Sequence, residues 1–124
     1  MGLLNVARIM IAEDSDATRL VLKDSLYIGH HELVAEAKDG VDAIDKFNMI
    51  HPDVLLLDIS MPKKDGISVL REIMSSDHEA KIIMITADEN FSTIYKSTVG
   101  GAQAYIIKPF DFMDVLNAIT MVLN

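Results

Sequence analysis

The sequence predicts an open α/β fold: a parallel sheet with helices packed on both faces. Three observations predict it. Five short apolar runs recur along the 124 residues, and each is followed by a segment whose apolar residues fall at helical spacing. Several of the runs are almost continuously apolar, the pattern of strands buried on both faces. Strand and helix alternate throughout, and such alternation implies parallel strands joined by helical crossovers.

The first run is Arg8–Ala12, R-I-M-I-A. A helix follows, anchored by Leu22 and Leu26, with Asp16 as its expected cap. The second run is Glu32–Ala37, and Asp39-Gly40 opens a helix striped by Ala43, Ile44, Phe47 and Ile50. The third is Asp53–Leu57, D-V-L-L-L, after which Asp65-Gly66 opens a helix carrying Ile67, Leu70, Ile73 and Met74. The fourth is Lys81–Ile85, K-I-I-M-I. Its helix, Phe91–Val99, has the faintest stripe, being rich in Ser and Thr and ending at Gly100-Gly101. The fifth is Ala104–Ile107, and Asp111 caps a last helix with Phe112, Val115, Leu116, Ile119, Val122 and Leu123 on its stripe. Most of the eight methionines, Met10 and Met84 among them, read as packing residues. The four histidines read as solvated loop residues, because no ligand spacing such as H-x-x-x-H occurs.

Composition narrows the function. The length fits one domain, residues 1–124. Half the residues are hydrophobic and 24% are charged, which excludes a disordered chain. No apolar stretch approaches the ~18 residues of a membrane span, so no membrane insertion is expected. Cysteine is absent, which excludes a disulfide framework and a thiolate nucleophile and fits a cytoplasmic location. The net charge of −8 argues against nucleic acid as a partner, since the chain would repel a phosphate backbone.

In an open parallel sheet, ligands bind beyond the carboxyl ends of the strands. The residues there are Glu13, Asp14 and Asp16 after the first run, Asp58 after the third, Thr86 after the fourth and Lys108 after the fifth. Carboxylates held close repel one another, and a hard divalent cation with oxygen ligands relieves that. A lysine and a hydroxyl beside them can hold phosphoryl oxygens. The set fits phosphoryl transfer with one Asp as nucleophile.

With the acidic pair, D-x-x-M-P from Asp58, Thr86-Ala87 and Lys108-Pro109 in this order, the sequence resembles the receiver domain of two-component response regulators. The likeness is to the single-domain, CheY-like type, and it spans about Arg8 to Leu123. The resemblance implies a flavodoxin-like fold with strand order 2-1-3-4-5, an order that the residues alone do not supply. It implies that Asp58 is the phosphoacceptor. Asp14 would bind Mg²⁺ directly, with Mn²⁺ as a substitute, and Glu13 would act through water. Asp58 and the backbone carbonyl of Ser60 complete the metal set. Thr86, the Ala87 backbone and Lys108 would bind the phosphoryl group, and Tyr105 would be the switch aromatic. Ser60 and Asp88 occupy positions that tune the phosphoryl lifetime. Pro109 follows a bond that the family holds cis. The implied partners are a sensor histidine kinase as donor and an effector or motor protein as target, as in chemotaxis. A histidine phosphotransfer protein is the other implied partner, and the protein is expected to be a monomer. The implied activity is signalling, with only self-phosphorylation and self-dephosphorylation. The chain ends after the fifth helix, which leaves no room for a DNA-binding output domain and suggests a stand-alone regulator.

Blander readings stand beside these. Asp58 and Thr86 taken singly are common cap residues, Lys108 a common strand-end charge, and Tyr105 a half-buried aromatic. Pro62 and Gly66 read as turn residues rather than site residues. The main rival is a phosphatase of the haloacid-dehalogenase type. Asp14-Ser15-Asp16-Ala17-Thr18 fits D-x-D-x-T, with Asp14 as nucleophile and Asp16 as acid. That reading leaves Asp58 unexplained.

Overall fold

The computed structural model describes residues 6–88 and 90–124. The elements alternate as β1 (Arg8–Ala12), α1 (Asp16–Ile28), β2 (Glu32–Ala37), α2 (Gly40–Ile50), β3 (Val54–Asp58), α3 (Gly66–Ser76), β4 (Ile82–Thr86), α4 (Phe91–Val99), β5 (Ala104–Ile107) and α5 (Phe112–Leu123). All strand pairs are parallel, and the sheet order is β2-β1-β3-β4-β5. This is the flavodoxin-like order expected from the resemblance.

The apolar strands serve two cores at once. Ile9, Ile11, Val54, Leu56, Ile83 and Ile85 point to one face, where Leu22 and Leu26 of α1 and Val115, Ile119 and Val122 of α5 cover them. Met10, Ala12, Leu55, Leu57, Ile82 and Met84 point to the other, against Ala43, Ile44 and Phe47 of α2 and Val69, Leu70 and Ile73 of α3. Successive strand residues alternate between faces, so a strand needed by both cores carries no polar interruption.

The edge strand β2 departs from simple alternation. The β1–β2 register shifts between Ile9 and Met10, whose partners are Leu33 and Ala35. Val34 is the inserted residue. Leu33 and Ala35 therefore pack on opposite cores although they lie two apart.

Several details differ from the sequence expectations. β3 and β4 are each shifted by one residue from the expected runs: they begin at Val54 and Ile82, not at Asp53 and Lys81, and run on to Asp58, which pairs with Ile85, and Thr86, which pairs with Ile107. Asp58 and Thr86 are thus the last strand residues rather than the first loop residues. Ser15, not Asp16, caps α1: its hydroxyl accepts the Thr18 N–H at 3.2 Å, and Asp16 instead pairs with Arg19. Asp39, Asp65 and Asp111 cap their helices as expected. Phe112 is exposed, because it lies at the first position of α5, short of the sheet. Among the described methionines only Met10 and Met84 are fully buried, while Met49, Met113 and Met121 face solvent. His31 is not a solvated loop residue: it is half-buried, and its Nδ1 accepts the Ala7 N–H at 3.1 Å.

Candidate functional site

The site forms at the carboxyl ends of β1, β3, β4 and β5. The crossover topology carries every strand the same way, so Glu13, Asp58, Thr86 and Lys108 arrive at one edge. Carboxylate oxygens of Glu13, Asp14 and Asp58 all lie within 4.8 Å of one another. Asp58 and Glu13 are buried, whereas Asp14 is exposed. Lys108 reaches in with its Nζ 3.3 Å from Asp58 Oδ1 and 3.4 Å from Glu13 Oε1.

The electrostatics are unbalanced in a telling way. Glu13 Oε2 accepts the Ser15 N–H at 3.1 Å, but Oε1 is buried with no hydrogen-bond partner among the described residues. Burial pushes the Glu13 carboxyl up to about 7, and the Asp58 charge pushes the same way, while the Ser15 N–H and Lys108 oppose them. Burial alone would lower Lys108, yet the Asp58 and Glu13 carboxylates outweigh it and hold the ammonium above its ordinary range. One lysine does not satisfy three carboxylates. A buried oxygen that shares the Lys108 ion pair but has no hydrogen bond, facing two further acidic groups, belongs to a donor set suited to a hard divalent cation. Glu13, Asp14 and Asp58 are the residues that could hold one.

The other expected residues surround this cluster. Ser60 is exposed in the loop after β3, and with Asp14, Arg71 and Lys96 it lines an open groove of about 540 Å³. Lys108 and Ala87 line a second, more apolar groove of about 480 Å³, with Ala17, Val21, Pro109 and Phe110. Thr86 is buried, and its Oγ1 accepts the Asp88 N–H at 2.9 Å. The Asp88 carboxylate is committed to the start of α4, accepting the Asn90 N–H and the Thr93 hydroxyl, both at 2.8 Å. Tyr105 is 44% exposed on β5. The Lys108–Pro109 peptide is cis. Asp16 is held at the surface by Arg19 and Lys38, and its carboxyl lies below the usual range because Arg19 hydrogen-bonds to it. A carboxylate so held is a poor proton donor, which weakens the D-x-D-x-T reading.

Two contributors escaped the sequence reading. Gly66 donates its N–H to Ile59 O at 2.7 Å, and a Cβ there would stand 2.3 Å from Asp58 O. It is therefore a close-approach glycine pressed against the Asp58 peptide, not only a turn residue. Arg19 is buried on α1 and donates to the Glu13 carbonyl at 2.8 Å. Its signal was present: Arg19, Leu22 and Leu26 share one helical stripe, so an arginine lies on the buried face.

Comparison with known proteins agrees with the geometry. Residues 9–120 match the family described as the response regulator receiver domain. The chain is 40% identical to the chemotaxis protein CheY of Bacillus subtilis, over 94% of this chain and 98% of that one. It is 34% identical to CheY of Thermotoga maritima, over 93% and 96% of the two chains. Among solved structures it is similar to the CheX-CheY-BeF3-Mg²⁺ complex from Borrelia burgdorferi. That match has a TM-score of 0.91 and 32% identity, and covers 94% of this chain and 89% of the other. With its sheet order, its acidic edge and these likenesses, the chain belongs to the response regulator receiver domain family, a family of signalling modules.

Proposed function

We propose that this chain is a phospho-accepting switch in which Asp58 receives a phosphoryl group from a phosphohistidine on a sensor histidine kinase. The observation that carries the reading is the placement of Asp58 Oδ1 3.3 Å from Lys108 Nζ inside a three-carboxylate group. A carboxylate oxygen of Asp58 attacks phosphorus and the P–N bond to the donor imidazole breaks. An acyl phosphate forms, and the leaving imidazole takes a proton from solvent. Glu13, Asp14, Asp58 and the Ser60 carbonyl would hold Mg²⁺, or Mn²⁺ in its place. When bound, such an ion neutralises charge on the phosphoryl oxygens. The similar complex from Borrelia burgdorferi contains Mg²⁺, which supports the choice of ion.

Lys108 then pairs with phosphoryl oxygen in place of a carboxylate. Thr86 exchanges its bond with the Asp88 N–H for one to the phosphoryl group, with the Ala87 N–H beside it. Tyr105, outward here, turns into the space released, and the face formed by Tyr95, Lys96 and Tyr105 changes shape. That face would bind the effector, a motor-type protein in a chemotaxis setting or a phosphotransfer partner in a relay. Water attack on phosphorus returns the Asp58 carboxylate and inorganic phosphate, with Ser60 and Asp88 placed to set the rate.

Intact mass after incubation with acetyl phosphate tests the reading. A single Mg²⁺-dependent phosphoryl adduct that vanishes in Asp58→Asn is expected. An adduct that persists in Asp58→Asn but vanishes in Asp14→Asn would overturn it in favour of the phosphatase reading.

A further inference from the structure

The geometry assigns Arg19 a role beyond helix packing: it is a positioning residue that fixes the peptide joining Glu13 to Asp14. The inference rests on the proposed metal-assisted reading of the site. Arg19 lies in the second turn of α1, and helical side chains lean toward the helix N-terminus. Its guanidinium therefore reaches back over the first turn to the loop after β1. There Nη1 donates to Glu13 O at 2.8 Å. The carbonyl of Glu13 and the amide of Asp14 belong to one planar unit. Holding that carbonyl sets the orientation of the plane from which the Asp14 Cα, and hence its carboxylate, departs.

The guanidinium is itself locked. Nη2 pairs with Asp16, and Nε lies 3.1 Å from Glu36 Oε1. Glu36 reaches α1 because the Val34 insertion in β2 resets the alternation of the residues that follow. The opposite side of the same loop residue is tied as well, since the Glu13 N–H donates to Ala37 O at 2.9 Å. Arg19 is 8% exposed, so its charge is largely withdrawn from water and depends on these partners. A planar fork can serve three acceptors at once in a way that a lysine ammonium on a flexible stem does not.

A solvated surface arginine would need none of this. A purely structural buried arginine would need only bonds to its own helix and to the sheet, which Arg19 makes to Asp16 and Glu36. Arg19 spends its remaining arm on the backbone between two of the three carboxylates that could hold the ion. Partners that orient metal ligands typically change metal affinity by about 10–100-fold when removed.

The test is Mg²⁺ titration by calorimetry on wild type, Arg19→Lys, Arg19→Met and Lys23→Ala, well below each melting temperature. Lys23 also pairs with Glu36, at 3.4 Å, and among the described residues it has no bond to the acidic loop. Both Arg19 variants should bind Mg²⁺ about tenfold more weakly, with Lys23→Ala within about twofold of wild type. The acetyl phosphate reaction in Arg19→Lys should need correspondingly more Mg²⁺ and be recovered by supplying it. A merely structural role would lower the melting temperature and leave the Mg²⁺ affinity of the folded protein unmoved. A folded Arg19→Lys that binds Mg²⁺ as wild type does overturns the inference, even if Arg19→Met does not fold. A wild type that binds no Mg²⁺ overturns the proposed function first, and this inference with it.

Discussion

The two ends of the sheet treat their charged residues in opposite ways. At the amino ends of the strands, Arg8 donates its backbone N–H to Asp53 Oδ2 at 2.7 Å, and the Asp53 N–H returns to Arg8 O at 2.8 Å. The Arg8 guanidinium closes the last turn of α2 through His51 O and Ile50 O. His31 accepts the Ala7 N–H on the same side. Donor meets acceptor at each of these points. At the carboxyl ends, three carboxylates face one lysine, and a buried oxygen of Glu13 has no hydrogen-bond partner among the described residues. One end is satisfied and supports the fold. The other is left in electrostatic conflict, and such conflict is tolerated where a ligand is to relieve it.

The largest expected effect comes from removing the cation at the conflicted end. Lys108→Met should slow adduct formation with acetyl phosphate by about 10²-fold, because the phosphoryl oxygens lose a preorganised charge. Mg²⁺ binding should be retained or strengthened, since a competing cation has gone. Calorimetry and adduct kinetics on the same sample check the split, and a parallel fall in both would break the comparison.

Next is the pH dependence of the metal-free fold. The Glu13 carboxyl has an ordinary value of 4.5 and rises to about 7 in the folded chain. The unfolded chain therefore loses its proton first as pH rises. The Glu13 contribution to stability is full below about 4.5 and is lost between 4.5 and about 7. Denaturant melts without Mg²⁺ should show wild type losing stability against Glu13→Gln across that window. A constant difference would contradict the account.

At the satisfied end, Asp53→Ala removes the acceptor for the Arg8 N–H and should cost about 1–2 kcal/mol, with Asp58 still phosphorylated at the wild-type rate. Loss of phosphorylation in a folded Asp53→Ala would blur the distinction between the ends. The smallest effect is that of His31, whose burial lowers its pKa below 6.5. Here the unfolded chain gains its proton first as pH falls, so this contribution is present above 6.5 and is lost on acidification. Its sign is opposite to that of Glu13. The stability difference between wild type and His31→Asn should fall as pH drops from 7 to 5, and a difference that stays constant would count against it.

The same contrast explains what was legible in the sequence. The strands were legible because burial on both faces leaves runs such as Val54–Leu57 and Ile82–Ile85 without a polar residue. Asp58 and Thr86 were legible as charged or polar residues ending those runs, although hydrogen-bond pairing carries each strand one residue further. Asp16 was misread as a cap because Asp and Ser both cap well, and the choice fell to the arginine one turn on. Gly66 depends on close approach to the Asp58 peptide, which its residue type does not announce. Arg19 stood on the buried stripe of its helix, but that spacing does not name the partners its guanidinium meets. The Val34 insertion, which turns Glu36 toward Arg19, was likewise invisible to a strict two-residue alternation.

The central claim is that the conflicted end is a phosphoryl site with Asp58 as its nucleophile. Borohydride reduction of the freshly phosphorylated chain converts an aspartyl phosphate to homoserine, which peptide mass mapping locates to one residue. The account predicts homoserine at position 58, formed only when Mg²⁺ was present during phosphorylation. Homoserine at position 14, or at neither position when the adduct had formed, would contradict it.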